Sequence, residues 1–160
     1  GMSSGVITKG LGFLYNNAMH KFNPVPGYPD SIEPGKSRPS SLSPIIIFKG
    51  RKPFMVLGAQ GGNGIISGVL QVILNVIIHR TSILEAVSLP RFHCEDQEIS
   101  LEKRFLVSIC HALEEKGFRV RRTPYSYDIF AGIVQAVLFD DKNGWQGASD
   151  PRAGGVALYT

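Results

Sequence analysis

A glycine-rich turn joins a short apolar segment to a long apolar one near the middle of the chain. The turn reads Ala59-Gln60-Gly61-Gly62-Asn63-Gly64, and apolar residues behind it fill most of a helical surface from 65 to 77. This pattern predicts a strand, a tight turn and a buried helix. Gly61 and Gly62 then lie at or near a helix N-terminus, where unpaired N–H groups hold an anion or a developing oxyanion.

The same turn excludes two common nucleotide sites. It lacks the Gly-Lys-Ser/Thr ending of a phosphate-binding loop, and its glycine spacing does not fit the dinucleotide fingerprint. Judged from the glycines alone, the pattern favours a plain structural turn over an oxyanion site.

The remaining pattern predicts strands and helices in an order typical of layered α/β or α+β proteins. A strand at 10–15 and a proline-rich loop at 16–38 come first, and a hairpin of strands 44–49 and 53–58 precedes the glycine turn. After the long helix we expect a short helix at 83–88, a strand at 98–101 and a helix at 102–116 that stops at Gly117. A strand at 118–122 and a closing hairpin of 129–139 and 144–148 complete the prediction.

Composition places the chain among globular proteins. The 160 residues are 43% hydrophobic and 19% charged, with a formal net charge of +4, which fits one domain over residues 1–160. Arg119, Arg121 and Arg122 are expected on a solvated face rather than on nucleic acid, since no basic helix or aromatic platform accompanies them. Cys94 and Cys110 have no metal or disulfide spacing, and Cys110 is expected to be buried.

Hydroxyl, imidazole and acidic side chains add further candidates. Ser40 and Ser41 enter a predicted strand from the long loop, where hydroxyls bind a carboxylate or cap local backbone groups. His93 is expected to be a packing or surface residue, because the four histidines form no metal pair. Near the end, Asp150-Pro151-Arg152 predicts a turn with a carboxylate–guanidinium interaction.

Five segments, collinear along the chain, carry a family resemblance. They are Asn16-Asn17-Ala18-Met19, Pro34-Gly35-Lys36 with Ser40-Ser41-Leu42-Ser43-Pro44, Gly61-Gly62-Asn63-Gly64-Ile65-Ile66, Glu85-Ala86-Val87 with Pro90-Arg91-Phe92-His93, and Gly147-Ala148-Ser149-Asp150-Pro151-Arg152. Together they resemble the small, nucleophile-bearing subunit of γ-glutamyltransferases. The similarity covers nearly the whole chain from Ser4 onward.

The resemblance implies an N-terminal-nucleophile hydrolase fold of the α+β class, an αββα sandwich whose first strands are missing here. In that family a precursor cleaves itself and exposes an N-terminal threonine. The threonine hydroxyl attacks an amide carbonyl, with the free α-amine as base, and forms an acyl-enzyme. By the same resemblance, Gly61 and Gly62 supply oxyanion-hole donors, and Ser40 and Ser41 hold the substrate's α-carboxylate.

Two departures from the family pattern follow. The family's threonine precedes the Asn-Asn segment, so we expect this chain to begin inside the subunit and to be inactive alone; residues 1–2 are then a tag remnant or native sequence. Where γ-glutamyl enzymes carry an acidic residue for the substrate's ammonium, this chain has Lys21, and Ala18 replaces a polar contact. Lysine repels an ammonium, which favours a divergent branch acting on a different amide. Lys21 then either attracts an anionic substrate group or points into solvent.

The expected partners are the large subunit or N-terminal part of the same precursor and a small-molecule amide substrate. An open sheet edge also predicts self-association. No cofactor, metal, nucleic acid or membrane partner is expected. The alternative to a fragment of an amidohydrolase or acyltransferase is a non-catalytic relative that retains a carboxylate pocket.

Overall fold

The computed structural model describes residues 4–158, so the expectation about residues 1–2 lies outside the described residues. The chain divides into two compact units, Gly1–Ser41 and Leu42–Thr160. No helix within residues 4–158 is both long and apolar enough to cross a bilayer.

The first unit is mostly loop, as predicted for 16–38. Its regular structure comprises a 3-10 helix, Ala18–Lys21, and isolated bridges that pair Ile7 with Leu14 and Asn23 with Ser31. The predicted strand at 10–15 is wrong, because Leu14 forms only a single bridge and no ladder extends it.

The second unit contains the helices and strands, in chain order β1 (Ile45–Lys49), β2 (Lys52–Gln60), α1 (Gly64–Ile77), α2 (Ile83–Ser88), β3 (Phe92–Glu95), β4 (Glu98–Leu101), α3 (Val107–Glu114), β5 (Arg119–Arg122), β6 (Ile133–Asp140) and β7 (Gly144–Ala148). A four-stranded sheet has the order β1-β2-β6-β7 with every neighbouring pair antiparallel. Both predicted hairpins are confirmed. A second sheet has the order β3-β4-β5, with β4 and β5 parallel.

Helices α1 and α2 pack on one face of the four-stranded sheet and enclose the main core. Helix α2 begins with a capping box, in which Ser82 Oγ accepts from the Glu85 N–H and the Glu85 carboxylate accepts from the Ser82 N–H. Each fully buried aliphatic side chain here contributes about 1.5–3 kcal/mol. The buried core residues are Met55, Leu57, Ile65, Val69, Val72, Val76, Ile83, Ala86, Val87, Val134, Ala136, Leu138 and Ala148.

The opposite face of that sheet is apolar and exposed. Ile46, Val56 and Val137 pair across β1, β2 and β6 on this face, and Phe48 and Trp145 are also exposed. Helix α1 was expected to be buried, but one line of apolar side chains along it is exposed. These residues are Ile66, Leu70, Leu74 and Ile78.

Three predicted elements begin later in the chain than expected. Helix α3 begins at Val107 rather than 102, since the Glu102 side chain is buried and the Lys103 N–H donates to the Tyr125 carbonyl. Strand β6 begins at Ile133 rather than 129, because Ile129–Ala131 form a 3-10 helix capped by Asp128. Strand β5 begins at Arg119 rather than 118. Strand β3 was not predicted. Cys110 is buried as expected.

Candidate functional site

The turn between β2 and α1 presents two backbone donors. Gly61 has φ 128° and Gly62 has φ 68°, conformations that side-chain-bearing residues rarely adopt. Among the main-chain hydrogen bonds found outside regular elements in residues 4–158, none is donated by the N–H of Gly61 or Gly62. Because α1 follows directly, its N-terminal partial positive charge adds to these two donors.

A second loop packs against the glycine turn without room for side chains. A Cβ on Gly61 would lie 2.9 Å from the Ile129 carbonyl oxygen, and one on Gly68 would lie 2.8 Å from the Ala131 carbonyl oxygen. A Cβ on Gly64 would overlap the Phe130 carbonyl. The backbones of residues 61–68 and 129–132 therefore fix one another.

A buried ion cluster anchors that second loop. The guanidinium of Arg91 binds Asp150 at 2.7 Å and donates to the Gly132 carbonyl. Arg152 binds Glu102 through two parallel hydrogen bonds of 2.7 Å and binds Asp150 at 2.9 Å. This confirms the predicted carboxylate–guanidinium contact of Asp150 and Arg152.

The cluster is also hydrogen-bonded to backbone, and the partly exposed Arg104 adds a third guanidinium, which binds Glu102 at 2.9 Å. Glu102 also accepts from the N–H of Asp128 at 2.8 Å, and Asp150 accepts from the N–H of Val134 at 2.8 Å. Burial, followed by repulsion from Arg152, lowers the pKa of Arg91 to about 10. The side chain therefore stays charged at neutral pH.

A cleft of about 390 Å³ opens beside the glycine turn. Gly61 and Gly62 line it, together with a polar wall that includes His93, Glu95 and Arg121. Arg121 binds Glu98 at 2.8 Å and remains more than half exposed, as predicted for a solvated basic face. A ligand in this cleft would meet backbone donors at one end and charges of both signs along the wall.

The other predicted site residues belong to the first unit. Lys21 is the last residue of the 3-10 helix and is half-buried. Ser40 is exposed and Ser41 is half-buried, and both lie in the segment that leads to β1.

The structure places His93 on the wall of the cleft, which sequence reasoning did not predict. It was expected to be a packing or surface residue, yet it lines the cleft and its Nδ1 lies 2.8 Å from Ser67 Oγ. A signal was present in α1, where Asn63, Ser67 and Gln71 recur every four residues in an otherwise apolar segment.

Comparison with known proteins identifies the family. The model of the family described as gamma-glutamyltranspeptidase matches residues 1–160. The chain is 37% identical to the acylase ACY 1 proenzyme of Pseudomonas sp. (strain V22) and 33% identical to the glutathione hydrolase proenzyme of Escherichia coli (strain K12). It aligns over 96% and 94% of its own length but spans only 27% of either relative.

Solved structures agree with the sequence matches. The T380A mutant of Helicobacter pylori gamma-glutamyltranspeptidase superposes with a TM-score of 0.85 at 36% identity, over 96% of this chain and 88% of that one. The expected N-terminal-nucleophile hydrolase fold is thereby confirmed, and the sheets and helices of the chain form part of its sandwich. The chain belongs to the gamma-glutamyltranspeptidase family.

Proposed function

We propose that this chain is part of an enzyme that hydrolyses an amide, or transfers its acyl group, through an acyl-enzyme on a threonine outside these 160 residues. The observation that carries the proposal is the pair of N–H groups at Gly61 and Gly62, which no backbone carbonyl in the described chain occupies. A tetrahedral intermediate bearing a negative oxygen needs two such donors in a fixed geometry, and losing one typically costs about 10²–10³ in rate.

The surroundings of the turn support this role. The close approach of residues 129–132 holds the glycine backbone in place before substrate arrives. The adjoining cleft gives a substrate access to both donors. Preorganised donors of this kind need no rearrangement during the reaction, which is the condition for strong electrostatic stabilisation.

Ser40, Ser41 and Lys21 are proposed to contact the substrate. By the family resemblance, the two hydroxyls hold a carboxylate of the acyl donor. Lys21 takes the place of an acidic residue that would bind an ammonium, so the donor of this enzyme differs from a γ-glutamyl compound at that point. A Lys21→Glu variant, assayed with γ-glutamyl and with simple acyl amides, distinguishes a Lys21 that binds an anionic group from one that points into solvent.

The partner of the chain is proposed to be the rest of the same precursor. The exposed apolar sheet face formed by Ile46, Phe48, Val56, Val137 and Trp145 is the surface on which a second sheet packs in a four-layer sandwich. The two curated relatives are each more than three times the aligned length of this chain, and both are named as proenzymes. Without that partner and the threonine it brings into place, we propose that the chain alone is inactive.

The test uses the full-length gene product. Intact mass should show self-cleavage into two subunits, and the product should hydrolyse γ-glutamyl or simple acyl amides. Gly62→Ala and Gly117→Ala form a matched pair, because both glycines have positive φ (68° and 89°) and neither has an atom within 4 Å of an added Cβ.

We expect Gly62→Ala to lower kcat at least 10-fold, because strain relief turns its N–H away from the cleft, while Gly117→Ala keeps full activity. An uncleaved, inactive wild type would instead favour a non-catalytic carboxylate-binding protein. Equal effects of the two variants would show that the N–H of Gly62 does not take part in the reaction.

A further inference from the structure

A polar stripe along α1 binds strand β3 at three successive points. Asn63 Nδ2 donates to Glu95 Oε1 at 2.6 Å, and Ser67 Oγ lies 2.8 Å from His93 Nδ1. One turn further on, the Gln71 side chain forms two hydrogen bonds with the backbone of Phe92, of 2.8 and 3.1 Å. The stripe repeats every four residues, so its three members lie on one face of the helix.

The first of these contacts replaces an ordinary helix cap. Asparagine before the first helical residue usually accepts a hydrogen bond from an N–H of the first turn. Asn63 occupies that position and makes no such bond. Its amide instead donates across to Glu95, which attaches the glycine turn to β3.

His93 connects the first two contacts. Ser67 Oγ and His93 Nδ1 share one hydrogen bond, and the other ring nitrogen, Nε2, faces Glu95 Oε2 at 3.7 Å. This separation is longer than a hydrogen bond, so the contact is an electrostatic attraction. Since Nε2 is buried and has no hydrogen-bond partner among the described residues, Glu95 is the group that compensates it.

We propose that His93 and Glu95 are positioning residues for the oxyanion turn. They act through Asn63 and Ser67, which flank the entry to α1 directly after Gly61 and Gly62. The inference rests on the proposed function, because it assigns these side chains to the geometry of the same two backbone donors. Their role is to hold the turn in register with β3 rather than to contact the reacting atoms.

The kinetic test compares His93→Ala, Glu95→Ala and Glu95→Gln in the full-length protein. Both alanine variants should lower kcat about 10-fold and change KM less than twofold, since the transition state alone depends on donor geometry. Glu95→Gln keeps an oxygen acceptor for Asn63 and should recover most of the loss. Cys94→Ala is the matched control, because the exposed Cys94 lies between the two on β3 and alternation points its side chain to the other face.

Hydrogen exchange on the same full-length variants gives a readout that needs no activity. Peptides covering residues 60–67 should exchange faster in His93→Ala and Glu95→Ala than in wild type or Cys94→Ala. Unchanged exchange would show that His93 and Glu95 do not hold the glycine turn against β3, whether or not the protein proves to be an amide hydrolase. Faster exchange with unchanged kcat in an active enzyme, or a raised KM with unchanged kcat, would overturn the positioning role.

Discussion

Arg152 donates hydrogen bonds to both carboxylate oxygens of Glu102, which lies fifty residues earlier in the chain. Both side chains are almost completely excluded from solvent. Neither ion has bulk water to stabilise it, so Arg152 depends on Glu102 and Asp150, and Glu102 depends on Arg152 and Arg104. Through Asp128 and Gly132 the same cluster positions the loop that packs on the glycine turn. The stability of the fold and the geometry of the proposed oxyanion site therefore share one set of contacts.

Removing the charge of one member of this pair should strongly destabilise the fold. Glu102→Gln leaves the Arg152 charge buried with a weakened partner, and we expect unfolding free energy to fall by about 3–5 kcal/mol. Urea unfolding of the full-length protein measures the loss. Glu98→Gln breaks the exposed pair with Arg121 and should cost about 1 kcal/mol or less. Similar losses for the two variants would contradict the burial argument.

Acid should weaken the start of α2 through Glu85. The N–H of Ser82, followed by its hydroxyl, lowers the pKa of Glu85 below its ordinary value of 4.5. The folded state thus binds this proton less tightly than the unfolded state, so the stabilisation is present above about pH 4.5 and is lost as the pH falls through the lower folded pKa. The melting temperature of wild type should be higher than that of Glu85→Gln at pH 7. The difference should vanish once the pH is below the folded pKa of Glu85. A difference that is independent of pH would show that the charge is not involved.

Gly68→Ala tests the close approach of the two backbones. Alanine in mid-helix is ordinarily better than glycine by about 1 kcal/mol. Here the new Cβ would lie 2.8 Å from the Ala131 carbonyl oxygen, so we expect a net loss of stability instead. Gly154→Ala is the control, because an added Cβ there meets no atom within 4 Å. A melting temperature raised by Gly68→Ala would refute the packing described above.

The chain expressed alone should self-associate. Strand β1 is an open edge of the four-stranded sheet, and its outward Ile46 and Phe48 are both more than half exposed. Sedimentation velocity should show dimers or larger species at high concentration. Ile46→Lys should shift the population toward monomer, because a charge on an edge strand opposes pairing, whereas Lys142→Glu in the β6–β7 turn, outside that strand, should not. A monomeric wild type at high concentration would count against this prediction.

Local patterns predicted those elements whose stability is local. The β1–β2 hairpin and α2 depend on turn residues and on the local Ser82–Glu85 capping box, and their ends were anticipated within two residues. Helix α3 and strand β6 were extended too far, because Glu102 and Asp128 form long-range contacts that no window of sequence contains. Gly61 and Gly62 were recognisable from glycine at a strand–helix junction, whereas His93 depends on the pairing of β3 with α1.

The long-range ion cluster has a consequence for how the chain reaches its native state. Its longest contacts join residues separated by 41 to 65 positions, from Arg91 with Gly132 to Val87 with Arg152. Contacts of such large sequence separation require costly loop closure and form slowly. Until Arg152 docks, Glu102 retains its hydration shell and the loop at 128–132 lacks its anchor. We therefore expect folding to pass through a stage in which the β1–β2 hairpin and α1 are formed while the glycine turn is still loose.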